Sequence, residues 1–145
     1  MLNKIITGIS QKLDSEFNSI SEDYEIYTEE VKQDFQEPCF FITLLSLDQT
    51  QIIGNRYSRT QPFDIHYFPK VEGSNSEILE VTEVLVNALE YIMIDEGLIR
   101  GTKMNSEVVD GVLHFFVNYN MHVIKEVTKE EKMGEIKITQ ELGSD

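Results

Sequence analysis

Asp110-Gly111, set between runs rich in valine and phenylalanine, constrains this chain more than any other feature. A two-residue type I′ turn needs positive φ at both central positions, and an Asp-Gly pair tolerates that conformation. The dipeptide predicts a long β-hairpin over Lys103 to Lys125 and sets its register: Val109 faces Val112, Val108 faces Leu113, Glu107 faces His114 and Ser106 faces Phe115. Along the second strand Leu113, Phe115, Val117, Tyr119, Met121 and Val123 point one way, whereas His114, Asn118, Asn120 and His122 point the other, with Phe116 as the exception. One buried face and one wet face predict an antiparallel sheet covered by helices on one side only.

Upstream, Leu2, Ile5, Ile6, Ile9, Leu13 and Phe17 recur at three- and four-residue steps and predict an amphipathic helix over Leu2 to Phe17. Tyr24, Ile26 and Thr28 alternate with acids, predicting a short edge strand over Asp23 to Glu29 whose charges discourage unwanted pairing. Glu37 to Leu47 carries apolar residues on both parities and predicts a central strand covered on both faces, by helices or by a neighbouring subunit. Asp48 to Gln51 is expected to turn the chain. Ile52 to Phe68 is expected to be a bent or bulged strand, interrupted at Pro62, whose first half leaves the sheet as an arm.

After the capping cluster Gly73 to Ser76, the spacing of Ile78, Val81, Leu85, Leu89 and Ile92 predicts a second helix from Ser76 to about Met93. Asp95-Glu96-Gly97 is its exit turn, and Leu98 to Thr102 lead into the hairpin. The fold class is α+β: a mainly antiparallel β-sheet with two helices packed on one face, its longest hairpin turning at Asp110-Gly111, and an extended C-terminal arm. Residues 1–125 read as a single domain and 126–145 as an acidic tail or arm, whose only apolar pattern is Met133, Ile136, Ile138 and Leu142. That tail is either disordered or ordered on a neighbour, and the alternation from Glu135 to Thr139 suits a docking strand.

A chain of 145 residues, 41% of them apolar, is large enough to bury a core without staples. Twelve basic residues against 26 acidic ones leave a net charge of −14, which argues against binding nucleic-acid phosphates or anionic membrane surfaces. Residues 1–50, 51–100 and 101–145 each carry more acids than bases, so the average hides no basic tail. Cys39 is the single cysteine; it excludes an internal disulfide, fits a reducing cytosol and lies in an apolar run as a small core residue would. The first twenty residues lack the features of a signal peptide and no run approaches a membrane span, so a soluble intracellular chain is expected.

The motifs of catalysis are missing: no Gly-rich phosphate loop, no paired-cysteine or HExxH metal spacing, and no Gly-x-Ser-x-Gly elbow. His114 and His122 share a face, but eight residues of strand hold them roughly 26 Å apart, too far to share one metal. His66 can approach one of them across strands, and reads as a solvent-facing cross-strand histidine; Glu107 opposite His114 reads as a favourable pair. No catalytic, cofactor-binding or metal-ligating residue is assigned, and neither enzyme activity nor a metal or nucleotide cofactor is expected. Spare sheet edges and arms suit a homo-oligomeric ring built by β-augmentation. Its candidate interface residues are Arg56, Tyr57, Arg59, Ile136 and Ile138, with the two arginines meeting acids of a neighbouring subunit. A separate reading of the acidic charge is a DNA-mimicking inhibitor, which would be a tight monomer or dimer competing with DNA for a basic partner.

Glu37 to Ile42, Asn55-Arg56-Tyr57, Pro62 to Pro69, Arg100 to Met104 and Val108 to Tyr119 together resemble the phage tail terminator family of prophage tail cassettes. The likeness covers most of Met1 to Lys125 and weakens beyond it. These stretches are fold signatures and name no active residues. The resemblance implies a virion structural protein, assembled in the host cytoplasm, that caps the tail tube at its head-proximal end as a ring, usually six-fold. It implies contacts with the tube protein, with neck or head-completion proteins and, in a contractile tail, with the last sheath layer; DNA is passing cargo, which the acidic balance suits. A different neck or head-tail connector protein is the neighbouring alternative.

Overall fold

The computed structural model describes residues 1–29, 33–95, 97–127 and 136–141. In chain order its elements are α1 (Leu2–Phe17), β1 (Glu25–Tyr27), β2 (Cys39–Leu44), β3 (Asp48–Ile53), β4 (Arg56–Phe68), α2 (Asn75–Ala88), β5 (Tyr91–Ile94), β6 (Gly97–Val109), β7 (Val112–Val127) and β8 (Ile136–Glu141). The eight strands form one sheet in the order β1-β2-β4-β7-β6-β5, with β3 also on β4 and β8 also on β7. All pairings are antiparallel except β1 with β2. Its spine is the pair β4 and β7, in register from Arg56 opposite Ile124 to Tyr67 opposite Leu113. The α+β class with helices on one face is therefore correct.

Burial follows strand parity, because successive side chains point to opposite faces. Phe63, Ile65 and Tyr67 of β4 and all six predicted inward residues of β7 are buried beneath α1 and α2, which contribute Ile5, Ile9, Leu13, Ile78, Val81 and Leu85. Ser74 caps α2 by accepting a hydrogen bond from the Glu77 N–H, 3.3 Å. Glu77 in turn accepts bonds from the Tyr67 hydroxyl and the backbone N–H groups of Lys70 and Val71. Its partial burial opposes ionisation, but these bonds, with the Lys70 charge, hold its carboxyl below the usual range.

The Asp110-Gly111 hairpin has the predicted register at all four pairs, with φ of 52° and 76° at the turn. A Cβ added at Gly111 meets no atom within 4 Å, so a substitution there acts through backbone strain alone. Gly111→Val is expected to cost about 1 kcal/mol or more, since a β-branched residue is disfavoured at positive φ. Chemical denaturation measures this directly; an unchanged midpoint would contradict the turn geometry.

Several expectations are corrected. Asp48 to Gln51 does not turn the chain; it begins β3, and the turn lies at Gly54-Asn55, where Gly54 takes φ of 55°. The first half of the Ile52 to Phe68 segment does not leave the sheet, because Arg56 to Gln61 pairs with β7 throughout and Arg56 to Thr60 also pairs with β3. Pro62 does not interrupt β4. Its carbonyl accepts from the Leu45 N–H (2.9 Å), so its missing donor faces the break between β2 and β3, where no ladder bond is lost. The second helix stops at Ala88 instead of Met93, and Tyr91 to Ile94 forms a strand in which Ile92 and Ile94 are buried while Tyr91 and Met93 are exposed. Leu89 to Ile92 continues the three- to four-residue helical spacing by coincidence.

The covered second face of β2 is supplied by its own chain: Tyr27, Phe35 and Phe68 pack on Phe41 with ring centroids 4.9 Å, 5.5 Å and 5.5 Å away. At the C-terminal end, β7 continues past Lys125 to Val127, and β8 pairs with it from His122 opposite Glu141 to Val127 opposite Ile136. The alternating segment thus docks on its own chain's β7. Met133 and Leu142 of the same pattern lie outside the described residues.

Candidate functional site

Asp64 and His66 are two residues apart on β4 and so share the face turned away from the helices. The β4–β7 register puts His114 directly opposite His66 and Phe116 opposite Asp64. Both imidazoles converge on one carboxylate oxygen: His66 Nε2 lies 2.8 Å and His114 Nδ1 3.1 Å from Asp64 Oδ2. The two rings meet edge to face with centroids 4.4 Å apart. The Asp64 side chain is 8% exposed, against 29% for His66 and 22% for His114. Its second oxygen, Oδ1, is buried without a hydrogen-bond partner.

Aromatic rings flank the group. Phe41 of β2 stands opposite His66, and Phe116 stacks beside His114 at 6.4 Å. A cleft of about 550 Å³, lined in part by Phe35, Phe41, Thr43, His66 and Phe68, opens the His66 side to solvent. Further along the same face Asn118 is buried, not wet as its parity suggested, because its Oδ1 accepts from the Gln61 N–H at 3.0 Å. His66 and His114 do pair across strands, as the sequence allowed, but they are half-buried and their common partner is Asp64, which sequence reasoning missed. Glu107 stands opposite His114 in register. Cys39 is fully buried, and burial, reinforced by Glu37 and Glu25, pushes its thiol up to about 12, so it is a core residue with little thiolate at neutral pH.

The residues selected for an interface gather largely at the other end of the sheet. Arg56, at the start of β4, is exposed and stands opposite Ile124, and Tyr57 lies under the Lys125 ammonium at 4.3 Å. Ile138 is opposite Lys125 and Ile136 opposite Val127 in the β7–β8 ladder. The Asn55 carbonyl accepts from the Lys125 N–H at 2.9 Å, tying the β3–β4 turn to this same end. Arg59 differs: it is buried on the helix side, with Nη1 3.0 Å from Met1 Sδ and burial lowering its pKa. The sequence reading overlooked β3, all six residues of which are exposed, and its apolar tip, Ile52 at 53% and Ile53 at 71% exposure. Two adjacent isoleucines ahead of Gly54 were the available signal.

A family model described as phage tail terminator protein matches residues 4–131. None of the curated proteins matches. Among solved structures 14 chains match; one of them, without a descriptive name, has a TM-score of 0.46 and 9% identity, covering 89% of this chain and 99% of that chain. No helix among the described residues is long and apolar enough to cross a membrane.

Proposed function

From the premise that this chain belongs to the phage tail terminator family, we propose that it caps the tail tube as a closed ring, ending tube growth. The family gives it a structural role in the virion tail and contacts with other tail components. The match over residues 4–131 is the observation that most supports this reading. A growing tube presents the same polymerising face after every layer, so stopping it takes a subunit that binds that face and offers a different one outward. Closed rotational symmetry supplies this, with six-fold as the expected order. The outward surface then meets the neck or head, and in a contractile tail holds the last sheath layer.

Support comes from where the chain leaves sheet edge and apolar surface uncovered. Among the described residues β3 pairs with β4 on one side, and its other edge is available for β-augmentation. The exposed Ile52 and Ile53 at its tip, with Arg56 and Tyr57 beside them, and Ile136 and Ile138 on β8 across β7, form the proposed contact between subunits. Arg59, buried against Met1, supports the β3–β4 hairpin from beneath. Hydrogen exchange compared between free chains and assembled particles tests this. Residues 48–57 are expected to gain protection on assembly, and equal protection in both states would remove these strands from the interface. Free protein is expected to run as a monomer or weak oligomer in native mass spectrometry, and a tight, tube-independent dimer would count against the ring.

A further inference from the structure

We propose that Asp64, His66 and His114 form a binding site for one divalent transition-metal cation of the zinc type, clamping β4 to β7 on the outer face of the sheet. Their ligand atoms all lie within 4.8 Å of one another. A tetrahedral centre with bonds of about 2.0–2.2 Å separates its ligands by about 3.3–3.6 Å, so small side-chain rotations bring the three atoms into place. The carboxylate supplies the second observation. Asp64 is nine-tenths buried, yet its Oδ1 has no hydrogen-bond partner and its Oδ2 serves two imidazoles. Buried carboxylate oxygens are normally satisfied, and a cation on Oδ2 would offset the charge of a carboxylate whose Oδ1 has no protein partner.

The donor set selects the metal class. Two imidazole nitrogens and one carboxylate suit Zn²⁺, Co²⁺ or Ni²⁺, whereas Mg²⁺ and Ca²⁺ favour oxygen-only shells. In the metal-free chain each ring donates an N–H to Oδ2; on binding, each turns a lone pair to the cation and carries its proton on the other nitrogen. Three protein ligands leave a fourth position for water or for a side chain of another subunit, and His66 among them lines the cleft. Phe41, opposite His66 in register, and Phe116, stacked beside His114, flank the group with apolar surface.

The full-length chain, stripped with EDTA and dialysed, is titrated with Zn²⁺ and with Co²⁺ at neutral pH in the presence of excess Mg²⁺. One cation per chain is expected, with the visible absorption of low-coordinate Co²⁺. His66→Ala and His114→Ala should each weaken binding at least about 100-fold, beyond the roughly 10- to 100-fold cost of losing an outer-shell partner. His122→Ala, on the exposed partner of Ser58, should leave binding unchanged. Ring-nitrogen NMR of the unaltered chain covers the case in which a variant fails to fold: Zn²⁺ should move the His66 and His114 signals and not those of His122. Failure to bind one cation, displacement by Mg²⁺, or shifts confined to His122 would overturn the site.

Discussion

Replacing Gly101 by alanine is expected to cost about 3 kcal/mol or more of folding stability, although it adds a single methyl group. Gly101 lies where β6 passes beneath the end of α2. A Cβ there would stand 2.5 Å from the Leu89 carbonyl oxygen, 2.8 Å from Val117 Cγ2 and 3.2 Å from Tyr119 Cε1. The first of these is backbone and cannot rotate away. Two hydrogen bonds depend on the close approach: the Gly101 N–H donates to the Glu90 carbonyl at 2.6 Å, and the buried Tyr119 hydroxyl donates to the Leu89 carbonyl at 2.7 Å. Opening the gap enough for a methyl group strains both and lifts α2 from Val117. Overpacking alone typically costs about 1–3 kcal/mol, and an unsatisfied buried polar group about the same again. Urea denaturation of the variant gives the total, and Tyr119→Phe isolates the hydroxyl's share of about 1 kcal/mol. A loss below about 1 kcal/mol for Gly101→Ala would mean that α2 and β6 pack less tightly than described.

What could be read from the sequence and what could not divides along physical lines. The Asp110-Gly111 hairpin was legible because turn chemistry and strict alternation act within a few residues and agree with each other. The first helix was legible for the same reason, its apolar stripe running unbroken from Leu2 to Phe17. The end of the second helix was not, because Leu85, Leu89 and Ile92 keep helical spacing across a change to strand. β3 was hidden because all six residues are exposed, so it shows no alternation, and its conformation is imposed by β4. The Asp64, His66 and His114 group needed the β4–β7 register, a contact 50 residues apart in sequence, although Asp64-x-His66 already marked two polar groups on one strand face. Arg59 was grouped with Arg56 as a residue meeting acids of a neighbouring subunit, whereas its parity with Phe63 and Ile65 turns it inward.

Deleting the gene for this chain is expected to have the largest functional effect, because in the proposed function this chain is the subunit that closes the tube. Without a subunit that binds the polymerising face and closes it, tube subunits keep adding until the supply ends, and the finished tail lacks the surface that meets a head. Electron microscopy of particles from a deletion strain, with tail lengths measured against the parent, tests that claim most directly. The account predicts tubes of uncontrolled length, or tails that fail to join heads, restored by the unaltered chain supplied in trans. Tails of parental length with heads attached would contradict it.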